Sequence, residues 1–216
     1  MRKQGIDPRL LLSLLVLVLV AGGIALLTVG GSSGSKAKVS AKAGQGKFDA
    51  EGLLEPVRAA PPLALHNYLG KPVNIASYRG KAVLVTFLYT NCPDICPLIT
   101  SNLRVAQSEL GGSASKVQII AVSVDPRGDT PNAVAEFLTH HEMIGHMQYL
   151  VGSAHELAKV WKAWGVGSER DAQQPQFVNH SGLIYGITAS GKRLTIYASN
   201  FQPSDIVHDV PLLAAR

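Results

Sequence analysis

Lys81-Ala82-Val83-Leu84-Val85-Thr86-Phe87-Leu88-Tyr89, followed at once by Thr90-Asn91-Cys92-Pro93-Asp94-Ile95-Cys96-Pro97, decides the fold. The first nine residues form an almost unbroken apolar run rich in β-formers, the pattern of a strand buried on both faces. Val117-Gln118-Ile119-Ile120-Ala121-Val122-Ser123-Val124 reads the same way. Between the two, Ile99, Leu103, Ala106 and Leu110 recur at helical spacing, and Gly111-Gly112 is a stop signal. Pro97 lacks the N–H that would bond back to Pro93, so the regular helix is expected to start near Pro97, with both cysteines in a stiff turn before it.

Working outward, Thr130 caps a second helix with Pro131 in its first turn, burying Val134, Phe137 and Leu138. Ser153-Ala154-His155-Glu156 is a capping box for a third, along which Leu157, Val160, Trp161 and Trp164 form a core stripe. Residues 182–187 and 194–198, joined across Ser190-Gly191-Lys192, read as a hairpin, and residues 206–213 as a closing helix. Strand, helix, strand, helix, helix, hairpin, helix predicts an α/β sandwich with a central mixed sheet and parallel inner strands, consistent with a thioredoxin-like fold.

The chain has 216 residues, 46% of them hydrophobic and 16% charged, which excludes a disordered polyelectrolyte. Its +5 charge is unevenly placed: residues 1–47 carry +6 and residues 48–216 carry −1. The basic balance belongs to a tail, so nucleic-acid binding is not expected. Residues 10–29 hold no charge and would span roughly 30 Å as a helix, enough for one bilayer crossing. Arg2, Lys3 and Arg9 before them read as cytoplasmic, although Lys36, Lys38 and Lys42 reduce the asymmetry. A signal peptide would have a shorter apolar core and an A-x-A-like site. The expected organisation is therefore a cytoplasmic N-terminus (1–9), a transmembrane anchor (10–29), a Gly/Ser/Lys-rich flexible linker (30–47) and one extracytoplasmic domain (48–216). The short N-terminus lacks an Arg- and Ser-rich transit stretch, which favours a bacterial inner membrane.

Cys92 and Cys96 are the only cysteines. At a helix N-terminus the dipole and unpaired N–H groups favour a thiolate, suited to redox chemistry or metal ligation. A four-residue offset permits either a disulfide or a shared metal. Two thiolates select soft Cu(I), and with an imidazole they also hold Cu(II). A disulfide closing so short a loop makes a poor structural staple.

Among the histidines, His66 carries no ligand pattern, His155 sits in the capping box and His208 in the last helix. His180, in Phe177-Val178-Asn179-His180-Ser181 at the start of the hairpin, faces the cysteine turn in a thioredoxin-like sheet. His140-His141-Glu142-Met143-Ile144-Gly145-His146 has the wrong spacing for a zinc-protease helix, with Gly145 read as the helix stop; the His/Met mixture could bind copper weakly, but ordinary loop and core packing is the expectation there.

These residues resemble the Sco/SenC family of copper proteins. The resemblance runs in order over about residues 60–200: Tyr78-Arg79-Gly80-Lys81, Phe87 through Pro97 with Cys92-Pro93-Asp94-Ile95-Cys96-Pro97, Val122-Ser123-Val124-Asp125-Pro126 with Asp129-Thr130-Pro131, and Asn179-His180-Ser181. Arg127-Gly128-Asp129 and Thr188-Ala189-Ser190-Gly191 depart from the family pattern away from the ligands. The resemblance implies a non-enzymatic, membrane-anchored copper metallochaperone. It would bind one copper through Cys92, Cys96 and His180 and load the copper A site on subunit II of cytochrome c oxidase. Other copper chaperones or thiol reductants are further partners. The alternative is a thiol–disulfide reductase using Cys92 and Cys96 to keep a partner's cysteines reduced. A peroxidase, which needs one activated thiolate, is the rival from another class.

Overall fold

The computed structural model describes residues 38–41, 48–174 and 177–216. They fall within one compact unit, residues 37–216. The predicted span, residues 10–29, lies outside the described residues; among those described, no helix is long and apolar enough to cross a membrane.

The apolar run after Lys81 forms β5 (Ala82–Leu88), and all seven residues are buried. Parallel to it lies β6 (Val117–Ser123), and next to β6, also parallel, β7 (Met147–Val151). On the other side β10 (Ile184–Ile187) pairs antiparallel with β5, and β11 (Lys192–Tyr197) with β10. The sheet continues through β2 (Gly52–Ala59) to β1 (Lys38–Ala41) at one edge and through β3 (Ala64–Asn67) to β4 (Pro72–Asn74) at the other. The spatial order is β1-β2-β11-β10-β5-β6-β7-β3-β4, a nine-stranded mixed sheet. Residues 38–41, read from sequence as linker, are thus a strand paired with β2, and His66 lies within β3.

Among the described residues, four α-helices flank the sheet: α1 (Ile95–Glu109), α2 (Pro131–His140), α3 (Ala154–Trp164) and α4 (Pro203–Ala214). Alternation along a strand assigns two of them to opposite faces. Trp164 of α3 packs against Phe87 and Tyr185, with ring centroids 6.0 and 5.6 Å apart. Gly186, on the other face of β10, lies under Leu213 of α4 and against Thr195, where a β-carbon would be 2.9 Å from Leu213 Cδ1 and 2.0 Å from Thr195 Oγ1. The result is a thioredoxin-like α/β sandwich whose central strands are shielded from water on both sides.

The capping signals operate as the sequence predicts. The Thr130 hydroxyl accepts from Ala133 N, and Ser153 and Glu156 close a reciprocal capping box. Two boundaries differ. The first helix starts at Ile95, not near Pro97, because Pro97 occupies the third helical position, where no intrahelical N–H bond is lost. The second ends at His140, five residues before Gly145, with Glu142 taking a positive φ of 53° and Met143 turning its side chain into the core.

Buried Asp209 of α4 ties the start of the domain to its end. Its carboxylate accepts from Asp49 N, Ala50 N and the Tyr197 hydroxyl, at 2.8, 2.9 and 2.9 Å. His208 Nδ1 adds a fourth contact at 2.7 Å.

Candidate metal centre

Strand direction explains why three residues distant in sequence meet. Ile184 of β10 stands opposite Thr86 of the antiparallel β5. The segment leading into β10 therefore lies beside the segment leaving β5: the first carries His180, the second carries Cys92 and Cys96.

Cys96 occupies the first turn of α1 and is fully buried, while Cys92, in the turn before, is 8% exposed. Both thiols are free. Cys92 N donates to Tyr89 O at 3.3 Å, and Cys96 N approaches Cys92 Sγ at 3.5 Å, as a helix N-terminus turned toward a sulfur should. Thr100 donates to Cys96 O, and the buried carboxylate of Asp129 accepts from Thr90 N at 2.8 Å, fixing the turn on its approach side. Asp129 also accepts from Ser123 and Tyr149, so the Val122-Ser123-Val124-Asp125 motif and the cysteine turn share one polar anchor.

His180 belongs to a separate two-stranded ribbon of β8 (Ser168–Arg170) and β9 (Val178–His180), and Ser168 is its cross-strand partner. Two three-residue strands are marginal alone. The ribbon is held by Ser168 Oγ donating to Val124 O at 3.1 Å and by the Arg170–Asp125 ion pair. The imidazole is half-buried, with Tyr89 set edge-on at 5.7 Å. Its Nδ1 lies 3.3 Å from Ser181 O, and its Nε2 lies 3.7 Å from Cys96 Sγ. A proton on Nδ1 donated to that carbonyl leaves the Nε2 lone pair facing the sulfurs, the orientation of a metal-ligating histidine.

The electrostatics divide the two thiols. A hydrogen bond from Cys96, aided by the Asp94 and Cys96 backbone, pulls the Cys92 pKa down to about 3 against opposing desolvation. The same contact with Cys92, followed by burial, pushes the Cys96 thiol upward. The pair behaves as one thiolate on the outer sulfur with one proton retained on the inner sulfur.

The other candidates fall elsewhere. His155 is exposed in its capping box. Asp49, His208 and Asp209 cluster closely, but Asp209 is occupied in the anchor described above. Met143 and Met147 pack into the core as expected, while His140 and His141 line a groove adjoining the cysteine turn, His141 against the ring of Phe137. Tyr89, Ser181 and Asp129 carry no periodic or spacing signal for their supporting roles; only the fold brings them to the site.

Residues 53–215 match the family model described as SCO1/SenC. The chain belongs to the SCO1/SenC family. It is 29% identical over 154 residues to the SCO1 protein homolog of Bacillus subtilis, covering 69% of this chain and 79% of that protein. It is 29% identical over 209 residues to the mitochondrial SCO2 homolog of Bos taurus, covering 94% of this chain and 74% of that protein. Among solved structures, ScoI of Bradyrhizobium japonicum with copper bound superposes with a TM-score of 0.61 at 30% identity, covering 72% of this chain and 99% of that one. BsSco, a Sco-family cytochrome c oxidase assembly protein with an identified disulfide switch, gives a TM-score of 0.62 at 27% identity, covering 74% and 95%.

Proposed function

We propose that this SCO1/SenC chain is a copper chaperone that binds one copper through Cys92, Cys96 and His180 and delivers it to the copper A site of cytochrome c oxidase subunit II. The observation that carries this is the 3.7 Å between Cys96 Sγ and His180 Nε2. First-row metal bonds are about 2.3 Å to thiolate and about 2.0 Å to imidazole, so a trigonal ion at about 120° separates those donors by about 3.7 Å. The two side chains stand where a shared three-coordinate ion would hold them, and copper's preference for thiolate and imidazole selects the cargo.

The shape of the site suits delivery. Cys96 anchors from below, while Cys92, just under the surface, and the half-buried His180 form its outer side, where a partner's ligands can replace them one at a time. Residues 10–29 would tether the domain (48–216) to the bacterial inner membrane, facing the periplasm, within reach of an oxidase in the same bilayer. No bond in a substrate is broken, so the protein is not an enzyme in this role. The test mixes the copper-loaded chain with the metal-free soluble domain of subunit II and follows formation of the copper A chromophore. His180→Ala should abolish transfer; undiminished transfer would refute the proposal.

The free dithiol favours one second reading, a thiol–disulfide reductase acting on the partner's cysteines. The outer sulfur has its pKa held at about 3, and such a thiolate is an attacking nucleophile at neutral pH. Copper binding in the B. japonicum relative and a disulfide switch in BsSco support each role separately. His180→Ala separates them, because disulfide reduction needs only the sulfurs.

A further inference from the structure

The end of α2 takes no part in the site above, yet it forms one wall of a groove of about 370 Å³. The opposite wall is Thr90, Asn91 and Pro97, the chain neighbours of Cys92 and Cys96. On the α2 wall stand two consecutive imidazoles, His140 and His141. We infer that His140 and His141 form a second, weaker copper site, for Cu(II), in the groove beside the thiol–imidazole centre. The inference rests on the copper reading above for its cargo and on separate residues for its ligands.

His141 is held as a ligand would be. Its ring packs against Phe137 at 4.6 Å between centroids, and Ser101 Oγ lies 3.2 Å from its Nδ1. That contact engages one ring nitrogen and leaves Nε2 free, the arrangement in which a histidine is oriented for a metal. Burial and then the neighbouring His140 lower its pKa, which keeps the lone pair available at neutral pH. His140 is exposed and stands perpendicular to it, 5.0 Å away between centroids. Two imidazoles bound at about 2.0 Å each hold their nitrogens about 3–4 Å apart, a span that side-chain rotation of His140 can reach. Glu136 lies one turn before His140 on the same wall and adds negative charge to the groove. Nitrogen donors without a thiolate suit Cu(II), which heads the first-row affinity order. An ion held there faces the cysteine turn across the groove. Passage between the sites is ligand exchange: metal–imidazole bonds break as metal–thiolate bonds form, the proton held on Cys96 passes to solvent, and no electron moves.

The test uses the full-length chain in detergent with Cu(II) ions as the probe. Cys92→Ser/Cys96→Ser removes the thiolate centre. This variant should still bind one Cu(II), with an axial electron paramagnetic resonance signal showing nitrogen hyperfine splitting. Adding His140→Asn/His141→Asn should abolish that signal, and Ser101→Ala, which frees Nδ1, should weaken it about tenfold. In the otherwise unaltered chain, His140→Asn/His141→Asn should leave the sulfur-to-copper absorption intact while slowing its appearance. A nitrogen-split signal that survives His140→Asn/His141→Asn overturns the inference, because other imidazoles would then be the ligands; so does a cysteine-free variant that binds no copper. Loss of the sulfur-to-copper band in the unaltered chain would instead refute the proposed function, so the two failures are distinct.

Discussion

Replacing Gly182 by alanine should weaken copper binding without touching a ligand. Gly182 lies two residues beyond His180, and Ile95 immediately precedes Cys96. A β-carbon at position 182 would stand 2.5 Å from Ile95 Cδ1 and 3.3 Å from Ser199 Cβ, whereas ordinary contact begins at 3.4 Å. About 1 Å must therefore be absorbed, the difference between 2.5 and 3.4 Å, and it lies between the segment that holds His180 and the helix that holds Cys96. If all of it opened the site, the 3.7 Å separation would pass the roughly 4.3 Å that a collinear sulfur–metal–nitrogen bridge can span. Ile95 can instead swing its terminal methyl aside, at an off-rotamer cost of about 1 kcal/mol. The smaller cost prevails, so affinity should fall by at most about fivefold, or about 1 kcal/mol, rather than vanish. A chelator-competition titration with Cu(I) measures this. Ile95→Val, which removes Cδ1, should restore affinity in the Gly182→Ala background. Wild-type affinity in Gly182→Ala, or no rescue by Ile95→Val, would refute the reasoning.

Other predictions concern the thiols and the terminal anchor. With Cys92 near pKa 3 against an ordinary thiol value of 9.0, iodoacetamide should modify it readily at about pH 5, where an ordinary thiol is inert. The depressed value also contributes stability that is fully present above pH 9.0 and diminishes as pH falls, until it is gone below about 3; urea midpoints of the unaltered chain and Cys92→Ser should converge in acid. Because the inner sulfur keeps its proton, copper binding near pH 7 should release about one proton, readable with a pH indicator in weakly buffered solution. Asp209→Ala orphans two backbone N–H groups and a tyrosine hydroxyl and should cost about 3–5 kcal/mol in urea unfolding. His208, whose pKa is raised by its hydrogen bond to Asp209, contributes stability that is present below its ordinary value of 6.5 and lost as pH rises through the folded value; His208→Gln should flatten that dependence.

The inner strands were legible because burial on both faces writes a continuous apolar run: residues 81–89 and 117–124 became β5 and β6 within a residue or two. Capping signals were legible because they are local chemistry, as at Thr130 and Ser153. β7 was hidden among histidines and methionines in a stretch whose turn and strand alternate too quickly to show a period. The β8–β9 ribbon has only three residues per strand, several of them polar, too few for a period of two to emerge. His180 was singled out from its place before the hairpin, but the approach to Cys96 depends on the antiparallel register of β10 against β5, a relation between segments about 100 residues apart. Asp129 stands in the Asp129-Thr130-Pro131 motif without a role of its own. It reads as a loop carboxylate beside a helix cap, and only the fold turns it inward to hold Thr90, Ser123 and Tyr149.

X-ray absorption at the copper edge, on the full-length chain loaded with one Cu(I), reads the ligand set itself. The expected result is a three-coordinate shell of two sulfurs near 2.3 Å and one imidazole nitrogen near 2.0 Å, with the imidazole scattering lost in His180→Ala. A shell of sulfur alone, or a nitrogen contribution that persists without His180, would contradict it.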